Sequence, residues 1–180
     1  MNPEQKREDL DLPEGTEEEL KENIITYTDE YKDKVIKFFE EMEKEFPEVT
    51  GAPDVRNVPE WFQRDEASNF WIAAGENDEV VGTAGLRNCG KGVGYLSRLY
   101  VKKELRGKGI GSKLTTERLK FAKEKGYKKV FMATMPDNKK IHEFDIKHGF
   151  KRVDSPPTPP SFSFSKGTVF FEMDLEKGNK

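Results

Sequence analysis

Three apolar runs joined by short turns limit the fold of this chain more than any other feature. "FWIAA" (Phe70–Ala74) and "VVGTAGL" (Val80–Leu86) are separated by "GENDE", and "VGYLSRLYV" (Val93–Val101) follows after "NCGKG". Runs of this length bounded by Gly, Asn and Asp read as strands, and connections this short permit only antiparallel neighbours. The middle of the chain is therefore expected to be a meander. A glycine-rich stretch comes next, then a helical pattern from Gly109 to Lys125 with Ile110, Leu114 and Phe121 on one face, Ala122 beside them and Gly126 as a stop. Leu119 falls off that stripe. "KVFMAT" (Lys129–Thr134) is reached through this helix, so it should run parallel to the strand before the glycines.

The flanking segments extend the pattern. "NIITYT" (Asn23–Thr28) reads as a strand, and Val35, Phe39, Met42 and Phe46 recur at the spacing of an amphipathic helix. "VPEWFQRDEA" (Val58–Ala67) reads as a second helix, with Pro59 in its first turn. Pro136 and Asp137 break the chain, Asn138 is placed as an N-cap, and a helix runs to His148 before Gly149. "FKRV" and "TVFFEMDL" (Thr168–Leu175) read as strands, joined by the proline-rich "DSPPTPPSFSFSKG".

A chain of 180 residues suits one domain, expected over residues 23–176. Residues 1–22 are too polar to build much core and are expected to form a mobile or loosely docked extension, with 177–180 as a tail. Charges nearly cancel at −3, so no global field draws nucleic acid, and no segment is apolar enough to read as a signal peptide or a membrane span. Cys89 is the only cysteine, and His142 and His148 are the only histidines; no metal site is expected, and a reducing cytoplasm suits the chain.

Glycine-rich turns that open a helix commonly hold phosphate. In "LYVKKELRGKGIGSKL" a P-loop is excluded because Gly109 follows Lys108 where Ser or Thr is needed. A dinucleotide fingerprint is excluded because Ser112 occupies the place of the third glycine. What fits is Arg-x-x-Gly-x-Gly (Arg106, Gly109, Gly111) directly after a strand, with "NKKIHEFDIKHGF" one strand further on. This combination resembles the GNAT superfamily of acyl-CoA-dependent N-acetyltransferases, over roughly Asn23 to Leu175.

The resemblance implies an α/β (α+β) fold: a mixed, mostly antiparallel sheet of six to seven strands with a splayed parallel pair, flanked by about four helices. It implies acetyl-CoA as co-substrate, with pantetheine against the backbone of Leu99 and Val101. Arg106, Gly107, Lys108, Gly109, Ile110, Gly111 and Ser112 would wrap the pyrophosphate, and Asn138 would contact the cofactor arm. Lys102, Lys103 and Lys108 stand close enough to add counter-charge. An N–H near Leu99 or Tyr100 could polarise the thioester.

Acetyl transfer also needs a deprotonated amine and a proton for the leaving thiolate. Where many relatives carry a glutamate base, this chain has Tyr95; where many carry a tyrosine acid, it has Asp145. Asn138, His142 and Asp145 are spaced to share one helical face, which offers His142 as a proton shuttle oriented by Asp145. An amine of low pKa would need no dedicated base. His148 suits a core or helix-end role.

The acceptor, a small-molecule or peptide amine, is expected between residues 47–64 and 154–167. Trp61, Phe62, Phe162 and Phe164 are candidate walls there, and Glu60, Asp65 and Glu66 candidate partners for a cation. Strand edges leave room for a homodimer. The competing reading is an acyl-CoA-binding sensor without turnover, with a nucleotide-binding protein third.

Overall fold

Short turns between apolar runs produce the expected meander. A computed structural model describes residues 23–157 and 163–176; the extension read at 1–22, the tail at 177–180 and Phe162 lie outside the described residues. Among the described residues, seven strands form one sheet in the order β1-β2-β3-β4-β5-β7-β6. They are β1 (Asn23–Thr26), β2 (Asn69–Ala74), β3 (Val80–Asn88), β4 (Val93–Val101), β5 (Lys129–Thr134), β6 (Lys151–Val153) and β7 (Val169–Asp174). Among these described strands only β4 and β5 pair in parallel; the other neighbouring pairs are antiparallel.

Among the described residues, five α-helices cover the two faces: α1 (Lys32–Met42), α2 (Pro53–Arg56), α3 (Val58–Phe62), α4 (Ile110–Glu124) and α5 (Lys139–Lys147). On one face, Val35, Phe38 and Phe39 of α1, Val55 of α2 and Phe62 of α3 pack on Phe70 and Ile72 of β2. On the other, Ile110, Leu114 and Ala122 of α4 pack on Trp71, Ala84, Leu86, Leu96 and Val130. Buried on both sides, β2 has no exposed residue, which explains its unbroken apolar run.

Several boundaries differ from expectation for local reasons. The first helix stops at Met42, because Phe46 precedes Pro47 and is pushed out of the helical region (φ −124°, ψ 80°). The second covers only Val58–Phe62, since the Asp65 carboxylate accepts the Ala67 N–H at 2.9 Å and turns the chain. The short α2 before it was not expected. The first strand ends at Thr26 rather than Thr28. Leu119, unexplained by the stripe, is half-buried against the α4-side core. Phe121 is only half-buried, whereas Arg118, one turn from Leu114 and Ala122, lies inside the core.

Candidate active site

The site begins with a fault in β4. Thr83 of β3 pairs with Tyr100 and Gly85 with Ser97, so one β3 residue, Ala84, opposes two β4 residues, Arg98 and Leu99. This is a β-bulge, and Arg98 adopts φ +57°, a left-handed conformation that costs a non-glycine residue about 1–2 kcal/mol. Two contacts hold it there. The Thr83 hydroxyl donates to the Arg98 carbonyl at 2.8 Å, and the Arg98 guanidinium grips both oxygens of Asp54 on α2 at 2.7 and 2.9 Å.

The bulge bends β4 away from β5. Their parallel ladder runs from Val93 opposite Lys129 to Leu96 opposite Met132 and then stops. Beyond it β4 stays paired with β3 as far as Val101, and β5 with β7 as far as Thr134. The two strands thus open into a V, whose β4 side is the backbone from Ser97 to Val101. An extended ligand bearing amides can add to such an edge as a peptide adds to a sheet.

The glycine loop closes the wide end. Gly107 (φ +79°) and Gly109 (φ +89°) both need left-handed backbone. Gly109 is the N-cap of α4 and supplies no side chain to cap it, so the first-turn N–H groups and the positive end of the helix dipole face outward. The loop, the helix end and the open strand edge together fit an acyl-CoA.

Side chains of the loop are more occupied than the sequence suggested. Arg106 donates from Nε to the Val101 carbonyl at 2.9 Å, and from both terminal nitrogens to Glu45 at 2.5 and 2.8 Å. It therefore ties the loop to β4 and to the turn after α1. The Ser112 hydroxyl lies 3.0 Å from His148 Nε2, whose other ring nitrogen donates to the Phe144 carbonyl at 2.7 Å. Ile110 is buried in the core, so only its backbone can serve a ligand. Lys108 is exposed, while Lys102 pairs with Glu41 at 3.4 Å. Asn138 stands at the N-cap of α5 as expected, its carbonyl accepting the His142 N–H at 3.2 Å, but its side chain makes no capping hydrogen bond.

The proton-transfer candidates separate. Tyr95 stacks on Phe131 at 5.0 Å and meets Phe164 edge-on at 5.9 Å, and burial among these rings raises its hydroxyl above the ordinary value. It stays protonated at neutral pH, which removes it as a general base. His142 donates from Nε2 to the Met135 carbonyl at 3.0 Å and lies 5.3 Å from the Phe171 ring. The expected hydrogen bond between His142 and Asp145 is not made: neither Asp145 oxygen has a hydrogen-bond partner. Asp145 instead faces Arg118 inside the core, where burial pushes its carboxyl up to about 7 against the pull of that guanidinium.

Four site residues escaped the sequence reading: Arg87, Ser97, Arg98 and Arg118. Arg118 alone left a local signal, an arginine four residues from both Leu114 and Ala122 on an apolar stripe. The rest depend on β3–β4 register, which short strands do not reveal.

Comparisons agree with this geometry. The profile of the Acetyltransferase (GNAT) family matches residues 35–150. A GNAT family acetyltransferase from Staphylococcus aureus Mu50 is 25% identical, superposing with a TM-score of 0.76 over 86% of this chain and 99% of that one. An acetyltransferase from Streptococcus agalactiae 2603 is 20% identical, with a TM-score of 0.74 over 86% and 98%. The GNAT domain of S. lividans PAT is 18% identical, with a TM-score of 0.68 over 86% and 90%. No curated protein matches the chain in sequence. With the family profile spanning more than half its length, and a bulged, splayed sheet leading to a glycine loop, this chain belongs to the GNAT acetyltransferase family.

Proposed function

We propose that the chain is an acetyl-CoA-dependent N-acetyltransferase acting on a primary amine. The observation that carries this reading is the end of the β4–β5 ladder at Leu96 opposite Met132, which opens a backbone edge running to the uncapped start of α4. Bound acetyl-CoA would supply an acetyl group activated as a thioester. The first-turn amides of α4 and the Gly107–Gly111 backbone hold the pyrophosphate, while the open β4 edge orients the pantetheine arm. The Leu99 or Tyr100 N–H donates to the thioester oxygen as it gains charge.

Tyr95, kept protonated by burial, acts as a hydrogen-bond donor, and the amine arrives already neutral in part. The amine, neutral as it attacks, loses one proton as the amide bond forms and the C–S bond breaks, and that proton neutralises the departing thiolate; Asp145, buried against Arg118, acts from inside the core and not on the reacting atoms. The proposal keeps the cytoplasmic location expected from the sequence; among the described residues no helix is long and apolar enough to cross a membrane.

The test is thiol release from acetyl-CoA across a panel of amines, with coenzyme A affinity measured by calorimetry on the same sample. Amine-dependent release with binding supports the transferase. Binding without release on a broad panel turns the reading to an acyl-CoA sensor, and no binding overturns both.

A further inference from the structure

We propose that Asp54 is a positioning residue for acyl transfer: by gripping Arg98 it fixes the β4 bulge, and with it the direction of the backbone N–H that polarises the thioester. This rests on the acetyltransferase reading and adds to that site a residue which acts through another.

Arg98 stands apart among the left-handed residues. Among the described residues three besides glycine take positive φ, and two of them, Asp78 and Lys91, lie in the β2–β3 and β3–β4 turns. Arg98 does so inside a nine-residue strand. Glycine would take that conformation without steric cost, as Gly107 and Gly109 do nearby. A strained residue persists only where its surroundings over-determine it, and such residues cluster where exact geometry serves function.

What arginine adds here, and glycine would not, is a tether. Its guanidinium takes both Asp54 oxygens, at 2.7 and 2.9 Å, and donates to the Tyr100 hydroxyl as well. The Asp54 side chain is only 6% exposed, and its neighbours Ala52, Val55 and Val58 are buried in the core on the α1 side, so the carboxylate is a fixed post. Tyr100 is fixed in turn by Phe39 and Phe46, with ring centroids at 5.7 and 5.3 Å. Residues 98 and 100 are thus both held by their side chains, which leaves the peptide groups between them little freedom.

Direction is what the bulge controls. The N–H groups of a strand alternate between its two edges, so one extra residue in the pairing decides which of them face β3 and which face the open V. The β4–β5 ladder ends at Leu96, and the bulge begins at Arg98. Were Arg98 to relax to extended backbone, the extra residue would leave the pairing and the N–H groups beyond it would change edge. The thioester would then lose its donor while the glycine loop kept its own. Since α2 lies within residues 47–64, where the acceptor is expected, one ion pair joins the acceptor side to the thioester side.

The experiment reads the thioester carbonyl itself, by isotope-edited infrared spectroscopy of acetyl-CoA bound to the full chain. Native protein is compared with Asp54→Ala, and with Asp54→Ala combined with either Arg98→Gly or Arg98→Ala. Thiol release with a panel of primary amines is measured per coenzyme A-binding site in each. The two double variants lack the same ion pair and differ in the backbone conformation they favour. In the native protein the carbonyl stretch is expected below its frequency in free acetyl-CoA. Asp54→Ala should return it toward the free value and lower kcat by about tenfold or more, with a smaller change in coenzyme A affinity. Arg98→Gly in that background should restore the lowered stretch and most of kcat, because glycine takes the left-handed bulge unaided, and Arg98→Ala should restore neither.

Equal spectra and kcat in native and Asp54→Ala protein would overturn the role of Asp54 and leave the transferase standing. Equal behaviour of the two double variants would overturn it too, since the conformation of residue 98 would then not matter. A carbonyl polarised in native protein and released in Asp54→Ala, with no amine turned over, would support the role of Asp54 and overturn the transferase. Failure to bind acetyl-CoA would overturn both. Where Asp54→Ala does not fold, Asp54→Asn, which keeps the side chain's shape and one acceptor oxygen, carries the same comparison.

Discussion

Asp145 on α5 and Arg118 on α4 face one another inside the core, each 1% exposed, without a hydrogen bond between the Asp145 carboxylate and any partner. Both belong to positions that would suit apolar residues by packing alone. A terminal nitrogen of Arg118 donates to the Thr115 hydroxyl at 3.2 Å. The carboxyl titrates near 3.8 in an unfolded chain and near 7 here, so the folded state holds an extra proton between those values. Stability present below about pH 4 is then lost as pH rises toward about 7, by up to about 1.4 kcal/mol per pH unit.

Asp145→Asn should remove this slope. Thermal melts from pH 5 to 8 are expected to show the native Tm falling and the variant Tm nearly level. Arg118→Met removes the only attraction that lowers the Asp145 carboxyl, so its midpoint should move further up. Parallel Tm profiles for native and Asp145→Asn protein would show that Asp145 does not hold that proton.

Gly109→Val should weaken coenzyme A binding by about tenfold or more through a branched side chain at the α4 cap, with a strain cost of about 1–2 kcal/mol from its φ of +89°. Gly90→Val is the control. It imposes comparable strain at φ +77°, with open space around its Cβ, in the β3–β4 turn. Equal Tm losses with coenzyme A affinity reduced only in the Gly109 variant are the expected outcome of calorimetry and melting.

Arg106 spends all three guanidinium nitrogens on Val101 and Glu45, which makes it a positioning residue for the loop. Arg106→Ala and Glu45→Ala should therefore weaken coenzyme A binding by similar factors. The double variant should be little worse than either, a coupling visible in a double-mutant cycle. A loss confined to Arg106→Ala would instead indicate direct phosphate contact.

Gly85→Ala drives a methyl into the Phe62 ring at 2.4 Å. Overpacking of this kind typically costs about 1–3 kcal/mol, and it should lower Tm and displace α3 from the acceptor face. Phe62→Leu in the same chain removes the clash, so the double variant should recover part of the Tm lost.

The sequence by itself determined the order of the elements, the meander, the parallel crossover and the place of the glycine loop. These rest on local rules: short Gly, Asn and Asp turns allow only antiparallel neighbours, a strand reached through a helix runs parallel, and Gly107 and Gly109 do take left-handed backbone. Helix ends were legible less well, because Pro47 and the Asp65 turn overrode an apolar period that continued past them. The tertiary structure alone decided what the site contains. The bulge at Arg98 depends on Asp54, 44 residues away, and on the Thr83 hydroxyl across the strand. Arg87, Tyr95 and Ser97 share a face only through β3–β4 register, and a register slip of one residue would send each to the other side. Arg118 and Asp145 meet only because α4 and α5 cross the same core, where burial, absent from any local pattern, sets the proton that Asp145 holds.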